Sequence, residues 1–340
     1  MEEKEKRNYL AAFDGVPGAE RNPANYQRRD DASHIYTAGD YYEWWYVDCS
    51  FDNGYHMVMT FHYRNHFLNP IIPTTQLMIY HPDGKQTARF AMWKPEQTYA
   101  SPDWCDLRMG DSWLRDLGGG TYELSMVIKG AGAKLKLRNV VPGWKLGTGF
   151  LYKNEENGKV AGWVVPVPHA EVEGELFLKG EATSVKGAAY HDHNWGNMRM
   201  HEFCSSWYWG RIHHGDYSID YAWVLPRDPE APVYSPLLLA RRNEIVLSTN
   251  MIHAELGNMT KEPKTGREYA QSLVITTINL GVKMRLAIDT TRLVETMQLP
   301  KAVEWDQFYF RFLGDYKMDI EIDGKKDSVR GEMLHEYMVL

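Results

Sequence analysis

An all-β protein is predicted, and three observations predict it. Apolar and polar residues alternate with a period of two in one run after another, turn residues separate those runs, and few stretches hold a 3.6-residue period. In chain order, Tyr55, Met57, Met59, Phe61 and Tyr63 alternate with His56, Val58, Thr60 and His62. Tyr122, Leu124, Met126 and Ile128 repeat the pattern, as do Val282, Met284, Leu286 and Ile288. Tyr316, Met318, Ile320 and Ile322 face one way, with Lys317, Asp319 and Glu321 facing the other. The turns are Asp52-Asn53-Gly54, Pro82-Asp83-Gly84, Glu156-Asn157-Gly158, His214-Gly215-Asp216 and Asp323-Gly324, chemistry suited to tight reversals. Thr291–Gln298 is the best helical candidate of a weak set. Many short antiparallel strands imply sandwiches or barrels.

At 340 residues the chain exceeds the usual reach of one hydrophobic core, so two domains are expected. Residues 1–40, polar and rich in charge, Pro and Gly, read as an arm. The remainder divides near 200, giving β-domains at 41–200 and 201–340. Arg227–Pro232 and Lys261–Arg267 read as loops.

A formal charge of −7 with scattered basic residues argues against a nucleic-acid partner. No segment approaches the apolar length of a membrane span, and the charged start Met1–Arg7 lacks the apolar stretch of a signal peptide. Cys49, Cys105 and Cys204 are too few and too far apart for a disulfide framework or a Cys-x-x-Cys zinc site. A cytoplasmic location is the resulting expectation. Twelve Trp and 21 Tyr are a high aromatic content, suited to cavity walls as well as to sheet cores.

The segment Ala188–Gly196 gathers two imidazoles, a carboxylate, an amide and an indole. In a strand, Ala189, His191, His193 and Trp195 share one face and Tyr190, Asp192 and Asn194 the other. A second cluster, Ser205–Asp216 followed by Tyr217–Trp223, reads as a hairpin. Asp220 interrupts its apolar second strand. A carboxyl group held among aromatics has its charged form disfavoured and can serve as an acid; the alternative is a solvent-facing Asp paired with Arg or Lys. A third cluster is Tyr41–Tyr46, six residues that cannot all be core. There Glu43 and Trp45 share one face, unless Glu43 is simply a strand-edge carboxylate. His191 and His193 have the spacing of strand-borne zinc ligands, but no third ligand is evident. No phosphate loop, nucleotide fingerprint or Gly-x-Ser-x-Gly elbow is present.

Three of these motifs, Glu43-Trp44-Trp45-Tyr46, Tyr190-His191-Asp192-His193-Asn194-Trp195-Gly196 and His335-Glu336-Tyr337-Met338, resemble the carotenoid 1,2-hydratase (hydroxyneurosporene synthase, AttH-like) lipocalin-like family. The resemblance spans nearly all of the chain beyond the arm. It implies two lipocalin-like β-barrel or sandwich domains with an apolar cavity in or between them, and a hydrophobic, unsaturated small-molecule substrate. It implies no metal and no organic cofactor. A transient visit to a membrane surface would let such a protein collect its substrate. The family's His-x-Trp pair matches His193 and Trp195; its Tyr-x-Asp pair matches only at Asp220, because Ser218 stands in the Tyr position. The expected catalytic set is therefore Asp220, His193 and Trp195. Glu43, Trp45, His191, Trp207, Trp209, Tyr217 and Tyr221 are expected to line the substrate site. The implied chemistry is hydration, isomerisation or cyclisation at a carbon–carbon double bond, started by an acid. The alternatives are a non-catalytic lipid or isoprenoid carrier and, more remotely, a metal-dependent hydrolase using His191 and His193.

Overall fold

The computed structural model describes residues 18–37, 40–68, 70–299 and 307–340. Among these there is no α-helix, and every strand pairing is antiparallel. The chain forms two compact units. One comprises Ala24–Lys145 and Gly149–Arg199; the other comprises, among the described residues, Gly18–Pro23, Leu146–Thr148 and Met200–Leu340.

In the first unit the sheet order runs from the edge strand Gln86–Met92 through Ile72–Tyr80, His56–Asn65 and Tyr42–Phe51 to Glu181–Gly196. It continues through Lys159–Leu178, Ala131–Asn139, Thr121–Ile128 and Ser112–Gly118 to the short strands Asp106–Met109 and Thr98–Ala100. The alternating residues enclose one core: Trp45, Val47, Met57, Met59, Phe61, Leu77, Leu124, Met126 and Leu135 are all buried within it. Burying a side chain of this size contributes roughly 1.5–3 kcal/mol, so the curled sheet is held mainly by what it encloses.

The second unit orders Glu244–Thr249, Leu237–Arg241, Tyr217–Pro226, Cys204–His214, Lys325–Val339, Gln307–Ile322, Val282–Leu299, Glu268–Asn279 and His253–Lys261, with Ala19–Glu20 added at the first edge. Its core contains Ile219, Tyr221, Leu239, Leu247, Ile275, Leu286, Ile288 and Met318. The Cys204–His214 and Tyr217–Pro226 strands form the expected hairpin, with His214 opposite Tyr217.

Two expectations fail here. Thr291–Gln298 is not a helix; it continues the strand Val282–Leu299. Register shifts between Thr290 and Arg292, and between Leu293 and Glu295, offset the pairing with Gln307–Ile322. Two bulges so close together disturb the two-residue period and leave a spacing that imitates a helix. The Tyr41–Tyr46 run is also more buried than expected, since only Tyr46 is not fully buried. Its strand is central in the sheet, and the second face is covered as well: Tyr42 and Trp44 pack against His66, and Trp44 also meets His62 and Phe67.

Candidate functional site

Sheet register assembles the first half of the site. Strand Glu181–Gly196 pairs with Tyr42–Phe51 so that His193 lies opposite Trp45 and Trp195 opposite Glu43. Directly opposed residues share a face, so Glu43, Trp45, His191, His193 and Trp195 become neighbours. The segment before the sheet supplies the rest. Arg28–Asp31 forms a single 3₁₀ turn, anchored by Arg28 to Asp116 and by Lys145 to Asp30 at 2.9 Å. It inserts Asp31, Ser33 and His34 against those five side chains.

Asp31, Glu43 and His193 are all fully buried. Asp31 accepts hydrogen bonds from Tyr122 Oη at 3.0 Å and His191 Nε2 at 3.1 Å, and its other oxygen lies 3.4 Å from His193 Nδ1. Glu43 Oε2 accepts the hydroxyls of Ser33, at 2.8 Å, and Tyr41. Its Oε1 accepts the backbone N–H of His34 at 2.6 Å and His193 Nε2 at 3.1 Å. His193 therefore sits between two carboxylates. Burial alone would raise the Glu43 carboxyl pKa, but hydrogen bonds from His193 and His34 outweigh it and bring it down to about 2. Burial likewise opposes ionisation of Asp31, yet the charge and hydrogen bond of His191, with a further bond from His193, hold it far below the usual carboxylate range. For His193 the balance reverses: burial lowers its pKa, and the bonds to Asp31 and Glu43 lift it above the ordinary imidazole value.

Aromatic rings wall this charge cluster. Trp45 stacks on His193 with centroids 4.0 Å apart, and its indole N–H donates to the Asp31 carbonyl at 3.2 Å. His34 lies flat on Trp195, 3.7 Å away and 2° from parallel. On the opposite strand Gly162 makes room for the indole, since a Cβ there would come within 2.3 Å of the ring. Phe150 meets the indole edge-on at 6.4 Å. Behind the strand, Tyr190, Trp163 and Asn194 all donate to Asp192. The His34 side chain is 25% exposed while those of Glu43, His191 and His193 are at 0%. Solvent therefore reaches the cluster by way of His34.

The remaining sequence-predicted residues lie in the other compact unit. Asp220 is completely buried, which excludes the solvent-facing alternative, and pairs in register with Arg211 and Leu238. Its neighbours Ile219 and Tyr221 point into the core together with Tyr217, so Asp220 occupies the opposite sheet face. Tyr217 donates to Asp327 at 3.0 Å and lies under Arg241. Tyr217 and Tyr221 are thus core residues of their unit. Trp209 is buried and opposite Glu336, whereas Trp207 is partly exposed. Glu336 accepts from Arg311 at 2.6 Å, and Arg311 also lies 3.6 Å from Glu295. By register, Asp220, Arg211, Trp209, Glu336 and Arg311 share one face.

Among the described residues two groups could offer a metal ion three donors: Asp31, Cys105 and His191, and His34, Glu43 and His193. His191 and His193 fall in different groups, so neither group is the His-x-His pair with a third ligand. Glu43 is already saturated by four donors, and burial pushes the Cys105 thiol well above its ordinary pKa. Both sets read as hydrogen-bonded ionic clusters. Elsewhere, on the second unit, an open trough of about 1050 Å³ is lined by Met251, Ile278, Ile320, Arg285 and Lys326, among others. None of the predicted site residues lines it.

Asp31, Ser33 and His34 were invisible to the sequence reading. They sit in a charged, Pro-flanked stretch with no periodicity, and only the need of His193 and Glu43 for partners could have pointed to them.

The pattern of the AttH-like family matches residues 33–302. Three solved structures share the fold. An AttH-type protein from Nitrosomonas europaea gives a TM-score of 0.65 at 16% identity, covering 95% of this chain and 98% of that one. CghA gives 0.64 at 12% identity over 95% and 99%. Kievitone hydratase from Nectria haematococca gives 0.59 at 14% identity over 94% of each chain. A hydroxyneurosporene dehydrogenase from Chlorobaculum tepidum is 44% identical over 55 residues, which is 14% of either protein.

Proposed function

The chain belongs to the AttH-like family, and from that premise we propose that it is a cofactor-independent hydratase, isomerase or cyclase acting on a carbon–carbon double bond of a hydrophobic isoprenoid, polyene or polyketide-like substrate. The observation that carries this reading is the pairing of an aromatic wall, Trp195 with His34, with the buried carboxylates Asp31 and Glu43 behind it. Fixed negative charge behind π faces favours positive charge in front of it. A carbocation formed by protonating an alkene has that requirement. A desolvated cation–π contact is worth about 2 kcal/mol, roughly thirtyfold in rate; orientation and the fixed charges must supply the rest.

In this reading the acid is Asp220, the residue that matches the family's Tyr-x-Asp pair. His193 is a positioning residue, because both its ring nitrogens face carboxylates, and it fixes Glu43 and Asp31 in place. His34 covers one face of Trp195, so the cation lies against the stacked pair. That one solved structure of the same fold is named a hydratase supports this class of chemistry. The test is incubation with an acyclic isoprenoid polyene in D₂O, followed by product mass. Incorporated deuterium that disappears in Asp220→Asn supports the proposal, and unaltered label in that variant ends the acid role.

One observation favours a second reading, a non-catalytic carrier. The trough on the second unit combines Met251 and Ile278 with the cations Arg285 and Lys326, a lining suited to an amphiphilic anion. Saturable quenching of Trp fluorescence with an unchanged ligand mass would favour it.

A further inference from the structure

We infer that His34 is a further catalytic residue, the base that removes a proton after the double bond has been protonated. This deepens the reading above and rests on it.

The backbone N–H of His34 bonds Glu43 Oε1 at 2.6 Å, and its side-chain Nδ1 lies 3.5 Å from the same oxygen. Stacking on Trp195 sets the ring plane. A carboxylate facing Nδ1 selects the tautomer with its proton there, and Nε2 on the far edge keeps its lone pair. That is how a carboxylate prepares an imidazole for base catalysis. Apo contacts of this kind are commonly long and tighten when substrate binds.

Electrostatics agree with the geometry. The charged groups facing His34 are Glu43, His193 and Asp30. Burial is the largest influence and pushes the His34 pKa below the ordinary imidazole value, although Glu43 opposes it. His193, on the other side of Glu43, is pushed up. Neighbouring groups driven apart in this way divide into a charged partner and a neutral base.

The steps balance. The alkene π pair takes a proton from the acid, forming one C–H bond and a cation. In hydration, a water lone pair forms the C–O bond and His34 Nε2 takes a proton from the resulting oxonium, leaving an alcohol. In isomerisation or cyclisation, Nε2 takes a proton from the carbon next to the cation, and the C–H pair becomes the new double bond. The proton then passes to solvent through the exposed edge of His34, and the acid takes a proton back from solvent, which closes the cycle.

Two measurements test this. Imidazole ¹⁵N NMR of the full chain should show His34 neutral at pH 7 with the proton on Nδ1, and Glu43→Gln should shift that tautomer. A wild-type His34 that is charged at pH 7, or protonated on Nε2, overturns the proposal whatever the substrate proves to be. With an acyclic isoprenoid polyene as probe, His34→Phe keeps a ring on Trp195 but removes the base. Turnover should fall about 100-fold or more, and the acidic limb of the kcat profile should vanish. His34→Phe with wild-type turnover sinks the base role while leaving Asp220 as the acid; wild-type turnover in Asp220→Asn sinks the wider reading instead.

Discussion

The first unit buries Asp31 and Glu43 against imidazoles and indoles, with three hydroxyls (Ser33, Tyr41 and Tyr122) completing their hydrogen bonds. The second buries Arg311 with Glu336 as a guanidinium–carboxylate pair in register across adjacent strands. Arg311 is held between Glu336 and Glu295 on the two strands beside it, both opposite it in the sheet, so this match is a matter of register alone. In the first cluster two carboxylates meet an imidazole held between them, and the match needs a segment from outside the sheet. Buried charge that is locally self-sufficient supports a fold. Buried charge that must be assembled from distant pieces is what a reactive site requires.

Removing a carboxylate from the first cluster has the largest expected effect. Glu43→Ala leaves the buried His193 without half of its compensation, and breaking a buried pair in this way costs about 3–5 kcal/mol. Urea denaturation should show that loss, whereas Arg138→Ala, which breaks the exposed pair with Glu173, should cost under about 1 kcal/mol. Equal losses would erase the distinction between buried and surface pairs. Asp220→Asn should next lower turnover by about 10²–10⁴ with an unchanged denaturation midpoint, separating chemistry from folding. Gly162→Ala should force the Trp195 ring to move and cost about 1–3 kcal/mol, read from the same denaturation curves together with a changed Trp emission.

The effects of pH are spread over several units. Burial lowers His62 in the first unit to about 3 and His335 in the second to about 4. Between those values and 6.5 the unfolded chain binds more protons, so stability falls as pH drops, by about 1.4 kcal/mol per pH unit for each group. His62→Phe and His335→Phe should each flatten that slope. His193 has the opposite sign: its contribution is full below 6.5 and lost as pH rises through its elevated folded value. Glu43 adds stability above about 4.5 that disappears as pH falls toward about 2. A pH profile without an acid slope would contradict the burial of these imidazoles.

Much of the fold was legible because period-two alternation is a local property. Met57, Met59 and Phe61 turn inward as their spacing requires, and Asp220 lies on the opposite face from Tyr221. The reading failed where the backbone departs from a regular strand: the two bulges near Thr290–Glu295 offset the period. It also failed where a strand is covered on both faces, as at Tyr41–Tyr46.

The sequence by itself determined the alternation, and with it which residues of each strand share a face, because a pleated backbone permits no other arrangement. It placed His191, His193 and Trp195 together, and Glu43 with Trp45. Tertiary structure alone decided that these two strands are neighbours, that Asp31 and His34 reach them from a stretch without periodicity, and that His193 ends between two carboxylates. Such contacts join residues more than a hundred positions apart. They are selected by the free energy of satisfying buried charge, which no local pattern records.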